Sequence, residues 1–196
     1  MRIIRLKFFV INFLFFATYF AKGQGCSDAG VCTLNSFKPN NTDSITEIKN
    51  QFKVGFSFGG ADNSISIYGN YLEYNRQLTD KFTFDFKVTA LSQNGNSISV
   101  IGPSDIYLNG NYKISEKVKL AAGTKIPGTN GNKKKYNLSL PMDYQSSLGT
   151  LDLILGVGYV IKKIQLVAAL QQPLTQNRNE FIAENYPPKR ASASRT

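Results

Sequence analysis

The sequence predicts an all-β fold, an antiparallel up-and-down β-barrel that crosses a membrane. Apolar and polar residues alternate along both arms of Ser104–Pro127, as they do in half-buried strands. Each arm has about ten residues, the length that a tilted strand needs to cross a bilayer. Short and long connections between such arms alternate, and the apolar faces carry no charge. These four features together favour a transmembrane barrel.

Residues 1–23 have the organisation of a signal peptide. A basic start precedes the apolar run Phe8–Ala21, and Ala21-Lys22-Gly23 supplies the small residues for cleavage before Gln24. A spanning helix needs roughly 20 apolar residues, so an uncleaved anchor fits less well. We therefore expect export and, for a chain that enters the membrane as strands, the outer membrane of a Gram-negative cell.

Residues 24–50 form a polar N-terminal extension that contains both cysteines, Cys26 and Cys32. Export to an oxidising compartment favours a disulfide between them. Lipidation of Cys26 is an alternative, although Gly23-Gln24-Gly25 lacks the apolar residue that such a signal carries. A metal site built from two thiols without histidine fits less well. The extension is either a plug in the barrel mouth or a disordered leader to the first strand.

The barrel is assigned to residues 51–186, followed by a polar tail over residues 187–196. The alternating stretches number about eight. In chain order they are 51–58, 64–78, 82–90, 104–114, 118–126, 136–140, 148–161 and 164–170. Within Ser64–Leu78 the apolar phase changes near Gly69-Asn70, which predicts a β-bulge.

The connections divide into two kinds. Thr79–Lys81, Ser115–Lys117 and Lys162-Lys163 are predicted to be tight turns, whereas Ser92–Pro103 and Gly128–Lys135 are predicted to be long polar loops. Outer-membrane barrels have short periplasmic turns and longer external loops. The tight turns are therefore assigned to the periplasmic end.

The polar faces of the predicted strands carry acids and bases together, as expected for the wet lumen of a closed barrel. The residues predicted to face this lumen are Lys53, Asp85, Lys87, Asp105, Asn109, Asn111, Lys113, Lys119 and Asp152.

Charge and composition argue against catalysis and nucleic-acid binding. The net charge of +10 falls to +3 when residues 1–23 and the three bases of the tail are set aside, and the bases do not cluster with aromatic residues on one face. The chain has no histidine, which removes Ser/His/Asp triads and the usual general base near neutral pH. We expect no enzyme activity, no cofactor and no nucleic-acid partner.

A secreted β-sandwich or lipocalin-like barrel would also alternate and also carry a signal peptide. Three observations favour the membrane: the uncharged apolar faces, the mixed charges on the opposite faces, and tyrosines near strand ends, where an interfacial girdle would lie. The absence of tryptophan runs against it.

Two stretches, SLPMDYQSSLGTLDLILGVGY (Ser139–Tyr159) and LQQPLTQNRNEF (Leu170–Phe181), resemble a known family. They are similar to outer-membrane proteins of the fatty-acid and aromatic-hydrocarbon transporter superfamily, and more narrowly to those linked to phenol-degradation gene clusters. QGCSDAGVCTL resembles a version in which a Cys-bracketed segment precedes the barrel. The resemblance implies a barrel that admits small apolar or aromatic molecules, with the N-terminal segment as a plug.

The expected function is a passive outer-membrane channel for small apolar or aromatic solutes, with lipid as its surroundings. The alternative is a non-conducting structural or adhesive barrel, because side chains fill the interior of an eight-stranded barrel whereas larger barrels leave a channel. The chain ends PPKRASASRT, without the terminal aromatic strand usual in the resembled family. It is therefore either a small eight-stranded barrel with a polar tail or a larger barrel cut short after about Tyr186.

Overall fold

The computed structural model describes residues 49–61, 64–161 and 164–185. Nine strands lie in this part of the chain: β1 (Asn50–Ala61), β2 (Ile65–Gln77), β3 (Phe82–Gly95), β4 (Ile98–Lys113), β5 (Val118–Pro127), β6 (Lys134–Lys135), β7 (Leu138–Ser139), β8 (Asp152–Ile161) and β9 (Ile164–Pro173). The predicted signal peptide, the Cys26–Cys32 disulfide and the polar tail lie outside the described residues.

Seven of the strands form one antiparallel sheet in the order β1-β2-β3-β4-β5-β8-β9. The all-β antiparallel prediction is therefore confirmed. The sheet is open, because no ladder among the described residues joins β1 to β9. In an up-and-down sheet of seven strands the first and last strands run in the same direction, so these two edges cannot form an antiparallel pair with each other.

The predicted strand 136–140 does not join the sheet. Only Leu138–Ser139 is extended, and it pairs with Lys134–Lys135 in a separate two-stranded hairpin. Tyr136 and Asn137 form the turn, with φ of 51° and 63°. The predicted count of about eight strands thus becomes seven in the main sheet.

The predicted loop Ser92–Pro103 is mostly strand. β3 continues to Gly95, β4 begins at Ile98, and only Asn96 and Ser97 form the turn, with φ of 49° and 61°. Two consecutive residues at positive φ make the tight type of turn that matches the twist of a β-hairpin. This part of the hairpin is rich in Asn, Gly and Ser, residues typical of loops, so the sequence does not show the alternation expected of strands.

The β-bulge predicted near Gly69-Asn70 is absent, because β1 and β2 pair without interruption from Asn50↔Arg76 to Ala61↔Ile65. Apolar residues simply change face along β2: Ile65 points to one side and Leu72 to the other. A register irregularity occurs instead between β3 and β4, at Val88/Ala90.

Three connections lie at one end of the sheet, here called the lower end: 78–81, 114–117 and 162–163. The first two are short turns, as predicted, whereas the predicted turn Lys162-Lys163 lies outside the described residues. The opposite, upper end carries the 96–97 turn, the long connection 128–151 and the segment 174–185. In the described part of the chain the only helices are two 3₁₀ turns, Met142–Tyr144 and Ala183–Asn185, and neither could span a membrane.

The two faces of the sheet are inverted relative to a water-soluble protein. The face here called the inner face buries polar side chains to an exposure of 5% or less: Glu73, Asp85, Asp105, Asn109, Lys125 and Asp152. The outer face leaves large apolar side chains exposed, and in β1 alone Phe52, Val54, Phe56 and Phe58 are 66–80% exposed.

Two small apolar clusters also lie on the inner face. Tyr107, Ala121 and Ile154 pack together halfway along the strands. At the upper end Ile65 and Val100 pack against Leu140 and Tyr144 of the long connection. These contacts place the long connection over the inner face.

Candidate functional site

A continuous row of charged residues crosses the inner face. The pairing register aligns one residue from each of six neighbouring strands, in the order Lys53, Glu73, Lys87, Tyr107, Lys125 and Asp152. We call this row the charged belt. Directly opposed residues on one face of a sheet lie within about 5.5 Å of each other. Opposite charges are therefore neighbours at three places along the belt.

The Lys125–Asp152 pair is the most enclosed part of the belt. The Lys125 ammonium lies 2.9 Å from Asp152 Oδ2, and the two side chains are 0% and 2% exposed. Lys125 also donates to Thr150 Oγ1 at 3.3 Å, and the Gln171 amide donates to Asp152 Oδ2. Hydrogen bonds from neighbours are what allow an ion pair to be buried.

At the other end of the belt the charges are less enclosed. Lys53 Nζ lies 3.5 Å from Glu73 Oε1, with side-chain exposures of 30% and 2%. The Lys87 ammonium lies 4.3 Å from the centre of the Tyr71 ring, a cation–π distance. The same ring occupies the space in which a side chain at Gly55 would lie, so the small residue is needed there.

An amide-rich row lies next to the belt on its lower side. Asp85 accepts hydrogen bonds from the side chains of Asn75 and Asn111, the latter at 2.6 Å. Asn109 lies directly opposite Asp85 in the register. Amide groups thus surround a buried carboxylate. They donate hydrogen bonds to it without adding a second charge.

The connection 128–151 folds onto the upper half of the inner face, and we call it the inner loop. Ser147 Oγ donates to Asp105 Oδ1 at 2.6 Å, and Ser146 Oγ donates to the Pro103 carbonyl at 2.8 Å. The Gln93 amide donates to the Gln145 carbonyl at 2.9 Å. These buried hydrogen bonds to three positions of β3 and β4 fix the loop against the sheet.

The two ends of the inner loop meet at a pair of glycines with positive φ, Gly131 (70°) and Gly149 (73°). A Cβ on Gly149 would collide with the Asn130 carbonyl, and a Cβ on Gly131 would lie 2.6 Å from the Leu148 carbonyl oxygen. Only glycine allows both this backbone conformation and this close approach. The contact closes the loop at its base.

Outside the inner face, Lys134 Nζ lies 2.7 Å from Glu180 Oε2 and ties the inner loop to segment 174–185. This hydrogen bond lowers the pKa of Glu180. Asn179 donates to the carbonyls of Gly131 and Leu140, at 2.9 and 3.1 Å. The upper end is therefore a connected set of loops and not three independent ones.

The lower half of the inner face has a different character. On β5, β8 and β9 its wall is made of small side chains: Ala121, Gly156, Gly158 and Ala169. Lys113 and Lys119 are directly opposite each other in the β4–β5 register, and the Lys113 ammonium lies 2.7 Å from Glu116 Oε1. The glycine opposite Lys119, Gly158, is in turn opposite Val167 of β9.

The structure places all nine residues predicted to face the lumen on the inner face. Asp85, Asp105, Asn109, Asn111 and Asp152 are buried, whereas Lys53, Lys87, Lys113 and Lys119 are partly exposed. It brings Asp85 together with Asn111, and it joins Asp152 to a partner outside the predicted set, Lys125.

Sequence reasoning missed several inner-face residues. Glu73 was missed because the predicted phase change in β2 obscured its direction, although its position between Leu72 and Tyr74 was a sufficient signal. Lys125 lies in phase with Lys119 and Gly123 on β5, so the alternation of this strand is the signal that marks it. The inner-loop residues Gln145, Ser147 and Thr150 carry no alternation, so no pattern marks them.

The inner face offers hydrogen bonding and charge pairing. Within 49–61, 64–161 and 164–185 no group of three metal-ligating side chains is clustered to hold an ion. A scan against protein-family models, a search of curated proteins and a search of solved structures each returned no match. The function is therefore inferred from the residues themselves.

Proposed function

We propose that this protein is an exported β-barrel protein of the bacterial outer membrane whose interior is closed at its upper half by the inner loop. The observation that carries the proposal is the inversion of the two faces. Charged side chains are enclosed, whereas large apolar side chains are exposed on β1, β2, β4, β5, β8 and β9 and half-buried on β3. Water disfavours such a surface by about 25 cal/mol per Å² of apolar area, and lipid removes that penalty.

The lengths of the strands support the same environment. β5, β8 and β9 each have 10 residues, and β1 has 12. A tilted strand crosses the hydrocarbon core with about 9–11 residues. Lipid also requires that the edges β1 and β9 be paired, because each unsatisfied backbone group costs several kcal/mol there. Closure therefore needs at least one more strand, antiparallel to both edges.

A non-conducting structural or adhesive barrel fits the inner face best. The charged belt, the amide-rich row and the inner loop fill the interior with paired side chains, as in barrels of about eight strands. The loops of the upper end, with Lys133, Lys134 and Lys135, would then provide the surface that binds other molecules.

A passive channel for small apolar or aromatic solutes is the second candidate. The small side chains of Ala121, Gly156, Gly158 and Ala169 on the inner face favour it, because a channel needs such residues along its wall. In that case the inner loop would have to move before a solute could pass.

Refolding of the chain from Gln24 onward into lipid vesicles tests the proposal. We expect insertion, a band that changes mobility on heating, and no steady conductance in a planar bilayer. Steady conductance would favour the channel instead. Failure to insert would contradict the membrane proposal and favour a soluble β-sandwich.

A further inference from the structure

An apolar groove lies on the outer face and extends from the middle of the strands toward the lower end of the sheet. It has a volume of about 720 Å³ and runs across β4, β5, β8 and β9. Its floor is made of outward-facing small residues, Gly110, Ala122 and Ala168, and its walls include Tyr112 and Leu120. Phe82 closes one end, because its ring lies 3.1 Å from the position that a Cβ on Gly110 would take.

The register explains why this groove exists. Gly110 and Ala122 are directly opposed, and the next residues outward along the same row are Leu155 and Leu170. Small side chains in two neighbouring strands therefore leave a depression that the larger residues around it border. The lining carries no charged residue. A bilayer acyl chain has the matching shape and chemistry, an elongated and wholly apolar one.

The lower end of the groove is basic. Lys81 directly precedes Phe82, and Lys117 lies three residues before Leu120. Both are exposed, and neither ammonium group pairs with a carboxylate in the described part of the chain. The nearby Glu116 is already paired with Lys113, at 2.7 Å. The carbonyls of Lys81 and Lys117 accept hydrogen bonds from the Lys113 and Val160 amides, both at 2.8 Å, so the turns that carry the two lysines adjoin the lower ends of β4 and β8. The headgroup of a lipid in the groove would lie beside these turns.

We propose that this groove binds an anionic phospholipid, with an acyl chain on Gly110, Ala122 and Ala168 and the phosphate between Lys81 and Lys117. The inference rests on the proposed membrane location. It also specifies the orientation of the protein, because the lower turns would lie in the leaflet that contains the anionic phospholipid. Attraction of an anionic headgroup by Lys near a membrane surface is worth about fivefold in affinity per lysine.

The test uses the refolded full chain in detergent and native mass spectrometry with two added lipids, dioleoyl-phosphatidylglycerol and dioleoyl-phosphatidylcholine. These lipids share their acyl chains and differ in headgroup charge. We expect phosphatidylglycerol to bind more tightly, and Lys81→Ala with Lys117→Ala to weaken it by about 30-fold while leaving phosphatidylcholine unchanged. Arg178→Ala, an exposed cation at the upper end, is the control and should change neither.

A second pair of variants tests the groove itself. Ala122→Phe fills the floor and should weaken both lipids by on the order of tenfold, the value of about two buried methylene groups. Ala90→Phe adds the same ring on the outer face of β3, away from the groove, and should weaken neither.

The results separate this inference from the membrane proposal. Equal affinity for the two lipids, or equal effects of Ala122→Phe and Ala90→Phe, would overturn the lipid site while vesicle insertion remained intact. A dimer that Ala122→Phe dissociates would also overturn it, in favour of a second copy of the chain in the groove. Failure of the wild-type chain to insert into vesicles would overturn the membrane proposal, whatever lipid binds in detergent.

Discussion

The Lys125–Asp152 pair is the residue contact on which the inner face depends most. Its charges are 0% and 2% exposed, so removal of one would leave the other buried without compensation. We expect Lys125→Met to lower the free energy of unfolding by about 3–5 kcal/mol. The measurement is urea unfolding from lipid vesicles.

Two comparisons make that prediction specific. The double variant Lys125→Met with Asp152→Leu should recover most of the loss, because no unpaired charge remains. Lys134→Met breaks the exposed pair with Glu180, whose side chains are 43% and 66% exposed, and should lower the free energy of unfolding far less, because water screens exposed charges. Similar losses for Lys125→Met and Lys134→Met would mean that the belt is not a dry interior.

The base of the inner loop gives a second prediction at the scale of single residues. Gly149→Ala forces a Cβ against the Asn130 carbonyl at a φ of 73° and should destabilise the protein by roughly 1–3 kcal/mol. Gly59→Ala is the matched control, since no atom lies within 4 Å of its Cβ position. Thermal unfolding of both variants measures the difference, and equal midpoints would contradict the close approach.

At the scale of elements, alternation was sufficient to locate the strands and insufficient to locate their ends. The β8 and β9 hairpin was predictable because Leu153, Leu155 and Val157 mark one face without exception. The upper part of β3 and β4 was missed because Asn and Ser have low strand propensity, and only pairing between the two strands makes them extended. The inner loop was beyond prediction because its polar residues are fixed by partners distant in the chain.

Consecutive alanines on β9 allow a test of the two faces with one residue type. Ala168 pairs with outward-facing Val157, and Ala169 pairs with Gly156 on the inner face. Near the middle of a bilayer, Ala168→Arg should lower the free energy of unfolding by about 2–4 kcal/mol, whereas Ala169→Arg should cost little. Urea titration in vesicles measures both, and equal penalties would indicate that neither face contacts lipid.

At the scale of the whole molecule, the sheet is open, and its edges β1 and β9 run in the same direction. The sequence could predict the antiparallel class and the polar inner face, because both follow from period-2 alternation. It could not predict the number of strands, since 136–140 alternates like a strand and yet lies in the inner loop.

Tryptophan fluorescence can test directly whether the outer face lies in lipid. The chain contains no tryptophan, so a single introduced tryptophan reports on its own position alone. Single tryptophans are placed at Leu166, on the outer face of β9, and at the adjacent Val167, on the inner face. Fluorescence quenching by lipids brominated on their acyl chains is then recorded in vesicles. We predict strong quenching for Leu166→Trp and weak quenching for Val167→Trp. Weak quenching at both positions would contradict a membrane-embedded sheet.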